Sequence, residues 1–162
     1  MPRSANHIGK RGESIAMAEL LLPGPEGLPL FNPHFLGDKA EAIDLYVELL
    51  TPSGGEFFLA QIKTATKVEV VNGESRLPIR ITADDYRKLA AYSVPVYLLG
   101  VNVDRLTPEI YLQGIEKTRQ RGVSYLPATF PLNRETLAAL FSEGHEFWAN
   151  QNFPVRRSRF LP

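Results

Sequence analysis

The run Val94-Pro95-Val96-Tyr97-Leu98-Leu99-Gly100-Val101-Asn102-Val103 is apolar at almost every position, and it constrains the fold more than any other stretch of the chain. A half-exposed strand would alternate apolar and polar residues; a continuous run reads as a strand covered on both faces. Such a strand belongs at the centre of a sheet that other layers sandwich. Two further apolar stretches, Ala42–Leu50 and Glu56–Lys63, are joined by Thr51-Pro52-Ser53-Gly54-Gly55, whose composition marks a turn, and they read as a β-hairpin.

The remaining elements follow from periodicity and punctuation. Ile8, Ile15, Ala18 and Leu22 mark one face of a helix from about Gly9 to Leu22, stopped by Pro23-Gly24-Pro25. Residues 23–33 are an irregular connection, and Asn32–Gly37 supplies a short strand. Val68-Glu69-Val70-Val71 before Asn72-Gly73 predicts a small peripheral hairpin. Thr82, three residues before Asp85, opens a helix through Tyr92 with Tyr86, Leu89 and Ala90 inward. Glu109–Ile115 is a further strand. Asn133 caps a last helix with Leu137, Leu140 and Phe141 inside, and Phe147 and Trp148 close the core. Residues 1–7 read as a flexible leader and 153–162 as a basic tail carrying Arg156, Arg157 and Arg159. The order helix, two or three strands, helix, strand, strand, helix predicts one domain over 1–162, an α/β or α+β fold with a mixed central β-sheet flanked by helices.

Composition narrows the function classes. There are no cysteines, which removes disulfides, thiolate metal sites and cysteine nucleophiles. The longest apolar runs, Ala18–Pro23 and Pro95–Val101, are too short to span a bilayer, and no hydrophobic signal core precedes Ile15. The expectation is a cytoplasmic protein with no membrane partner. Lys plus Arg and Asp plus Glu both number 18, so the net charge is zero, and any nucleic-acid contact has to come from a local patch.

The chemistry concentrates on the hairpin. Asp44 shares a strand face with Tyr46 and Glu48, and Gln61 shares one with Lys63. A turn centred between Ser53 and Gly54 sets Asp44 opposite Lys63 and position 46 opposite 61. A slip of one residue would send Asp44 to the other face. In that arrangement Asp44 offers a hard oxygen to Mg²⁺ or Mn²⁺, and the Ile62 backbone carbonyl points to the same ion. Gln61 adds a neutral oxygen where a second acid would bind more strongly. Lys63 orients or deprotonates the attacking water and offsets charge on the phosphorus. Glu13, early in the first helix, is the best placed third carboxylate. Lys10 and Arg11, with Thr64 and Lys67, are candidate backbone-phosphate contacts.

Gly12-Glu13 on an opening helix, Ile43-Asp44 on a strand and then Gln61-Ile62-Lys63 together resemble the PD-(D/E)xK restriction-endonuclease-like superfamily. The Gln-x-Lys variant is similar to that of archaeal Holliday-junction resolvases and type IV restriction enzymes. Asp85-Tyr86 followed by Tyr92-Ser93-Val94-Pro95-Val96-Tyr97-Leu98-Leu99 resembles a bacterial family of uncharacterised single-domain proteins within it. Residues 8–115 carry the resemblance as a nuclease-like core, with 116–152 as a C-terminal segment. Ala42 departs from the pattern, since a glycine is common two residues before the aspartate. The resemblance implies a divalent-metal-dependent endonuclease acting on DNA, a homodimer by analogy, or a subunit whose partner protein in a defence or repair system recognises the nucleic acid. The alternative is a nuclease fold that binds nucleic acid or protein without cleaving.

Each residue also has a structural reading. Asp44 can be a solvent-face residue, Lys63 a strand-edge guard, Glu13 a favourable charge near a helix N-terminus, and Glu48 a cross-strand partner. His7, His34 and His145 are scattered and show no ligand spacing. Gly9-Lys10-Arg11-Gly12-Glu13-Ser14 lacks both the ending and the preceding strand of a phosphate loop.

Overall fold

The computed structural model describes residues 5–104, 106–151 and 159. Ala5–Leu20 forms helix α1, and the chain turns through the bridged pair Pro23 and Pro29 into strand β1 (Phe31–Phe35). A 3-10 turn at Gly37–Lys39 leads to β2 (Leu45–Leu49) and then β3 (Phe57–Ala65). β4 (Glu69–Val71) and β5 (Glu74–Ile81) form a hairpin, followed by helix α2 (Ala83–Ala90). β6 (Val96–Asn102), β7 (Glu109–Gly114), β8 (Val123–Pro127) and helix α3 (Arg134–Ala149) complete the chain.

The strands make a five-stranded sheet in the order β1-β2-β3-β6-β7 and a three-stranded sheet in the order β4-β5-β8. β3 and β6 pair in parallel; every other pair is antiparallel, so this is a mixed α+β fold. One face of the larger sheet carries Leu45, Val47, Phe58, Ala60, Ile62, Leu99 and Val101, which pack on Ala16 and Leu20 of α1 and Leu137 and Leu140 of α3. The other face carries Leu59, Val96 and Leu98, which pack on Leu77, Ile79 and Leu126 of the smaller sheet and Tyr86 and Leu89 of α2. β6 is buried at every position, as its composition predicts. Each such large side chain removed from water contributes about 1.5–3 kcal/mol, so the central strand anchors both layers. Gly100 leaves room for this: a Cβ there would come within 2.8 Å of Leu77 Cδ2.

Local chemistry explains most boundaries. Asn72 and Gly73 both take positive φ (53° and 80°), the requirement of a two-residue hairpin turn, and they join β4 to β5. Thr82 accepts a hydrogen bond from Asp85 N and donates from its hydroxyl to the Asp85 carboxylate, closing the start of α2. Asn133 accepts from Thr136 N at the start of α3. Trp148, half-buried, donates its indole N–H to the Phe57 carbonyl at 2.8 Å and closes one end of the sheet. Glu48 is the expected cross-strand partner: it sits opposite Asn32, whose side-chain amide donates to it.

The structure also differs from the sequence reading. Ala5–His7, expected as leader, form the first turn of α1; residues 1–4 and the tail residues Arg156 and Arg157 lie outside the described residues. The buried line of α1 is Gly12, Ala16 and Leu20, whereas Ala18 and Leu22 are exposed. Small residues let the helix approach closely, a signal that an apolar count overlooks. The smaller sheet is larger than the expected hairpin, because β5 runs through Pro78 to Ile81 and pairs with β8. Pro78 reads as a strand breaker, yet it is accommodated next to an irregularity in the β5–β8 register. Among the described residues no helix is long and apolar enough to cross a membrane.

Candidate functional site

β3 presents its peptide groups alternately to its two neighbours. Leu59 N donates to Pro95 O on the β6 side, whereas Ala60 O accepts from Asp44 N at 3.0 Å on the β2 side. Ile62 also faces β2: its N–H donates to the Asp44 carboxylate at 2.6 Å. A strand residue turns its N–H and C=O to the same edge, so the Ile62 carbonyl shares that side with Asp44.

The hairpin register differs from the expected one by two residues. Tyr46 lies opposite Leu59 and Leu45 opposite Ala60, where the regular ladder ends; Asp44, just outside β2, meets Ala60 through its N–H and Ile62 through its carboxylate rather than Lys63. Gly54 and Gly55 both take positive φ (66° and 78°) and lengthen the loop on the β3 side, moving the centre of the turn back toward Pro52. An offset of two preserves the face. Gln61 and Lys63 share the side of the sheet away from α1, while Asp44 lies at the edge of β3, its carboxylate on the N–H of Ile62, the residue between them.

Asp44 is the last residue at this end of β2 to meet β3. Just before it, Ala42 takes φ 61°, a left-handed conformation that a side chain disfavours, and the chain departs from the sheet. The departing loop is tied down by the Glu41–Lys88 ion pair and by the Tyr92 hydroxyl donating to Glu41 O. Among the described residues no strand lies beside Lys63, Thr64 and Ala65 on the β2 side, so the end of β3 forms one wall of an open notch. A glycine would adopt the Ala42 conformation freely, which gives the departure at that position a physical meaning.

The notch is electrostatically unsatisfied. Burial pushes the Asp44 carboxyl above the usual carboxylate range, partly offset by the Ile62 N–H and the Lys63 charge. Gln61 is 6% exposed, and its Oε1 is buried without a hydrogen-bond donor. A buried acceptor with no donor costs about 1–3 kcal/mol unless something else satisfies it. The Asp44 carboxylate, the Gln61 amide oxygen and the Ile62 carbonyl are hard oxygen donors of the kind that Mg²⁺ and Mn²⁺ take. Among the described residues no three His, Cys, Asp or Glu side chains gather to hold a metal, so any site here depends on these neutral oxygens.

Glu13 lies on α1, in the layer on the other face of the sheet. α1 packs on the Phe58–Ala60–Ile62 face, and Gly12 lies so close to β3 that a Cβ there would be 1.9 Å from Thr64 Cγ2. Glu13 is the next residue and is half-buried. Lys10 and Arg11 are exposed on α1, whereas Thr64 is half-buried beneath Gly12. Lys67 is exposed and its ammonium is paired with Glu69 at 2.6 Å. The three histidines stay apart: His7 is on α1, His34 is on β1 beside Glu48, and His145 is on α3 beside Glu56. Comparison of the chain with protein-family models, curated proteins and solved structures returned no match.

Proposed function

We propose that the protein is a divalent-metal-dependent phosphodiesterase acting on nucleic acid, DNA in particular, built on a restriction-endonuclease-like core. The observation that supports this reading is the half-buried Asp44 carboxylate held on the Ile62 N–H of β3, next in sequence to Gln61, whose buried Oε1 has no hydrogen-bond donor. Asp44, Gln61 and the Ile62 carbonyl would hold Mg²⁺ or Mn²⁺; such an ion supplies Lewis acidity toward a phosphodiester and acidifies water. The Ile62 N–H fixes one oxygen of Asp44 at 2.6 Å and leaves the other to bind. Lys63 shares the face of Gln61, so its ammonium can hold the attacking water and offset charge developing on phosphorus.

The test is cleavage of plasmid and linear duplex DNA with Mg²⁺ or Mn²⁺ by the wild type, Asp44→Ala and Lys63→Ala. Both variants are expected to lose at least about a hundredfold in rate, the scale of one removed electrostatic stabiliser. Rates equal to the wild type would sink the assignment. Gln61 itself supports a second reading, because a neutral oxygen where an acid binds better weakens a metal site. On that reading the fold binds nucleic acid or a protein partner and does not cleave; clean wild type would then show neither metal affinity nor hydrolysis.

A further inference from the structure

The open end of β3 adjoins a second hollow. His7, Ile8 and Arg11 of α1 and Val103, just past β6, line a cleft of about 310 Å³. His7 and Arg11 stand one helical turn apart, so they share a helix face. Both are exposed, and among the described residues neither forms an ion pair. By contrast Lys67, Arg76, Arg87 and Lys88 are all engaged by carboxylates.

The topology relates this cleft to the notch. β3 and β6 are the parallel pair, so their C-terminal ends lie side by side, with Ala65 opposite Asn102. Val103 N donates to Ala65 O at 3.0 Å, which holds the cleft floor against the strand that carries Lys63. Ligands of open sheets gather at the carboxyl ends of parallel strands. Charge at the cleft is mixed: Lys10, Arg11 and His7 stand on α1, with Glu13 on the same helix and Asp104 next to Val103, while Lys63 lies on the other face of the sheet.

We propose that this cleft seats a phosphate of the nucleic-acid backbone, held by Arg11 with His7 beside it. The assignment of a polynucleotide rests on the nuclease reading; the seat itself does not require cleavage. Arg11 supplies a planar fork that takes two phosphate oxygens at once. Ile8 and Val103 keep water from the inner side of the pair, which strengthens a charged hydrogen bond.

The experiment measures affinity for a short labelled DNA duplex in EDTA, across a salt series, so that hydrolysis and metal binding play no part. Arg11→Ala is expected to weaken binding about tenfold, and to lower the slope of log K against log salt by about one, the signature of one lost phosphate contact. His7→Ala should weaken binding less, Arg11→Lys should restore the salt slope but not the full affinity, and Arg134→Ala, an exposed cation on α3, should change neither. Wild-type affinity and slope in both Arg11→Ala and His7→Ala would overturn the proposal. So would inorganic phosphate raising the melting temperature of the wild type but not of Arg11→Ala while duplex affinity stayed unchanged, since the seat would then belong to free phosphate. If Asp44→Ala cleaves like the wild type yet Arg11→Ala binds weakly, the nuclease site falls and the phosphate seat stands.

Discussion

Replacing Gly12 with alanine sets two effects of known sign against each other. In an exposed helix the change is stabilising by about 1 kcal/mol, because glycine loses more backbone freedom on folding. In this helix the new Cβ would fall 1.9 Å from Thr64 Cγ2, 3.3 Å from Thr64 Cβ and 3.7 Å from Val101 Cβ. Rotating Thr64 removes the first conflict but leaves the second, so α1 has to move away from β3. Overpacking of that kind costs about 1–3 kcal/mol and outweighs the propensity gain. The net expectation is a loss of up to about 2 kcal/mol, or a melting temperature lower by up to about 4–8 °C for a chain of this size. Urea and thermal unfolding followed by circular dichroism measure it. The cause is isolated by a double-mutant cycle: with Thr64→Ala already present, Gly12→Ala should cost at least about 1 kcal/mol less than in the wild type. An alanine variant more stable than the wild type would refute the close docking of α1 on β3.

Asp44→Asn should raise stability at neutral pH. The folded carboxyl titrates above its ordinary value of 3.8 because of burial, so the wild type loses stability as pH rises through the window from 3.8 to the raised value. The advantage of asparagine should therefore shrink as pH falls and vanish below 3.8; a gap that widens in acid would contradict the burial argument. Gln61→Leu removes the orphaned acceptor at similar volume and should stabilise the metal-free protein by about 1 kcal/mol, measured by urea unfolding, while abolishing any cleavage. A loss of stability would show that Gln61 Oε1 is satisfied in solution. Ala42→Gly should raise the melting temperature by a degree or two, because glycine adopts φ 61° without strain at some entropic cost; a fall would place the strain elsewhere.

The central strand and the caps were legible because each is written locally. An apolar run spells out β6, Thr82 and Asn133 open their helices, and Asn72-Gly73 specifies its turn. What was hidden depends on distant partners. β8 has no pattern of its own until β5 stands beside it, and β5 is disguised by Pro78. The α1 contact is made by Gly12 and Ala16, which score as weak on any apolar scale. At the candidate site the shared face of Gln61 and Lys63 followed from alternation along β3. The partner of Asp44 did not, because two positive-φ glycines move the centre of the turn. The turn at Ala42, which opens the notch, has no signal in an alanine.

The interleaving of the two sheets bears on how this chain acquires its structure. β5 pairs with β8, yet β6 and β7, which belong to the other sheet, lie between them in the chain. The smaller sheet therefore cannot finish until the larger one has taken β6 beside β3 and β7 beside β6. A nascent chain that has emerged only through β7 holds all five strands of the larger sheet, while the smaller one is a two-stranded ribbon lacking β8. Closure of the smaller sheet thus waits on a strand made after the whole of the larger one.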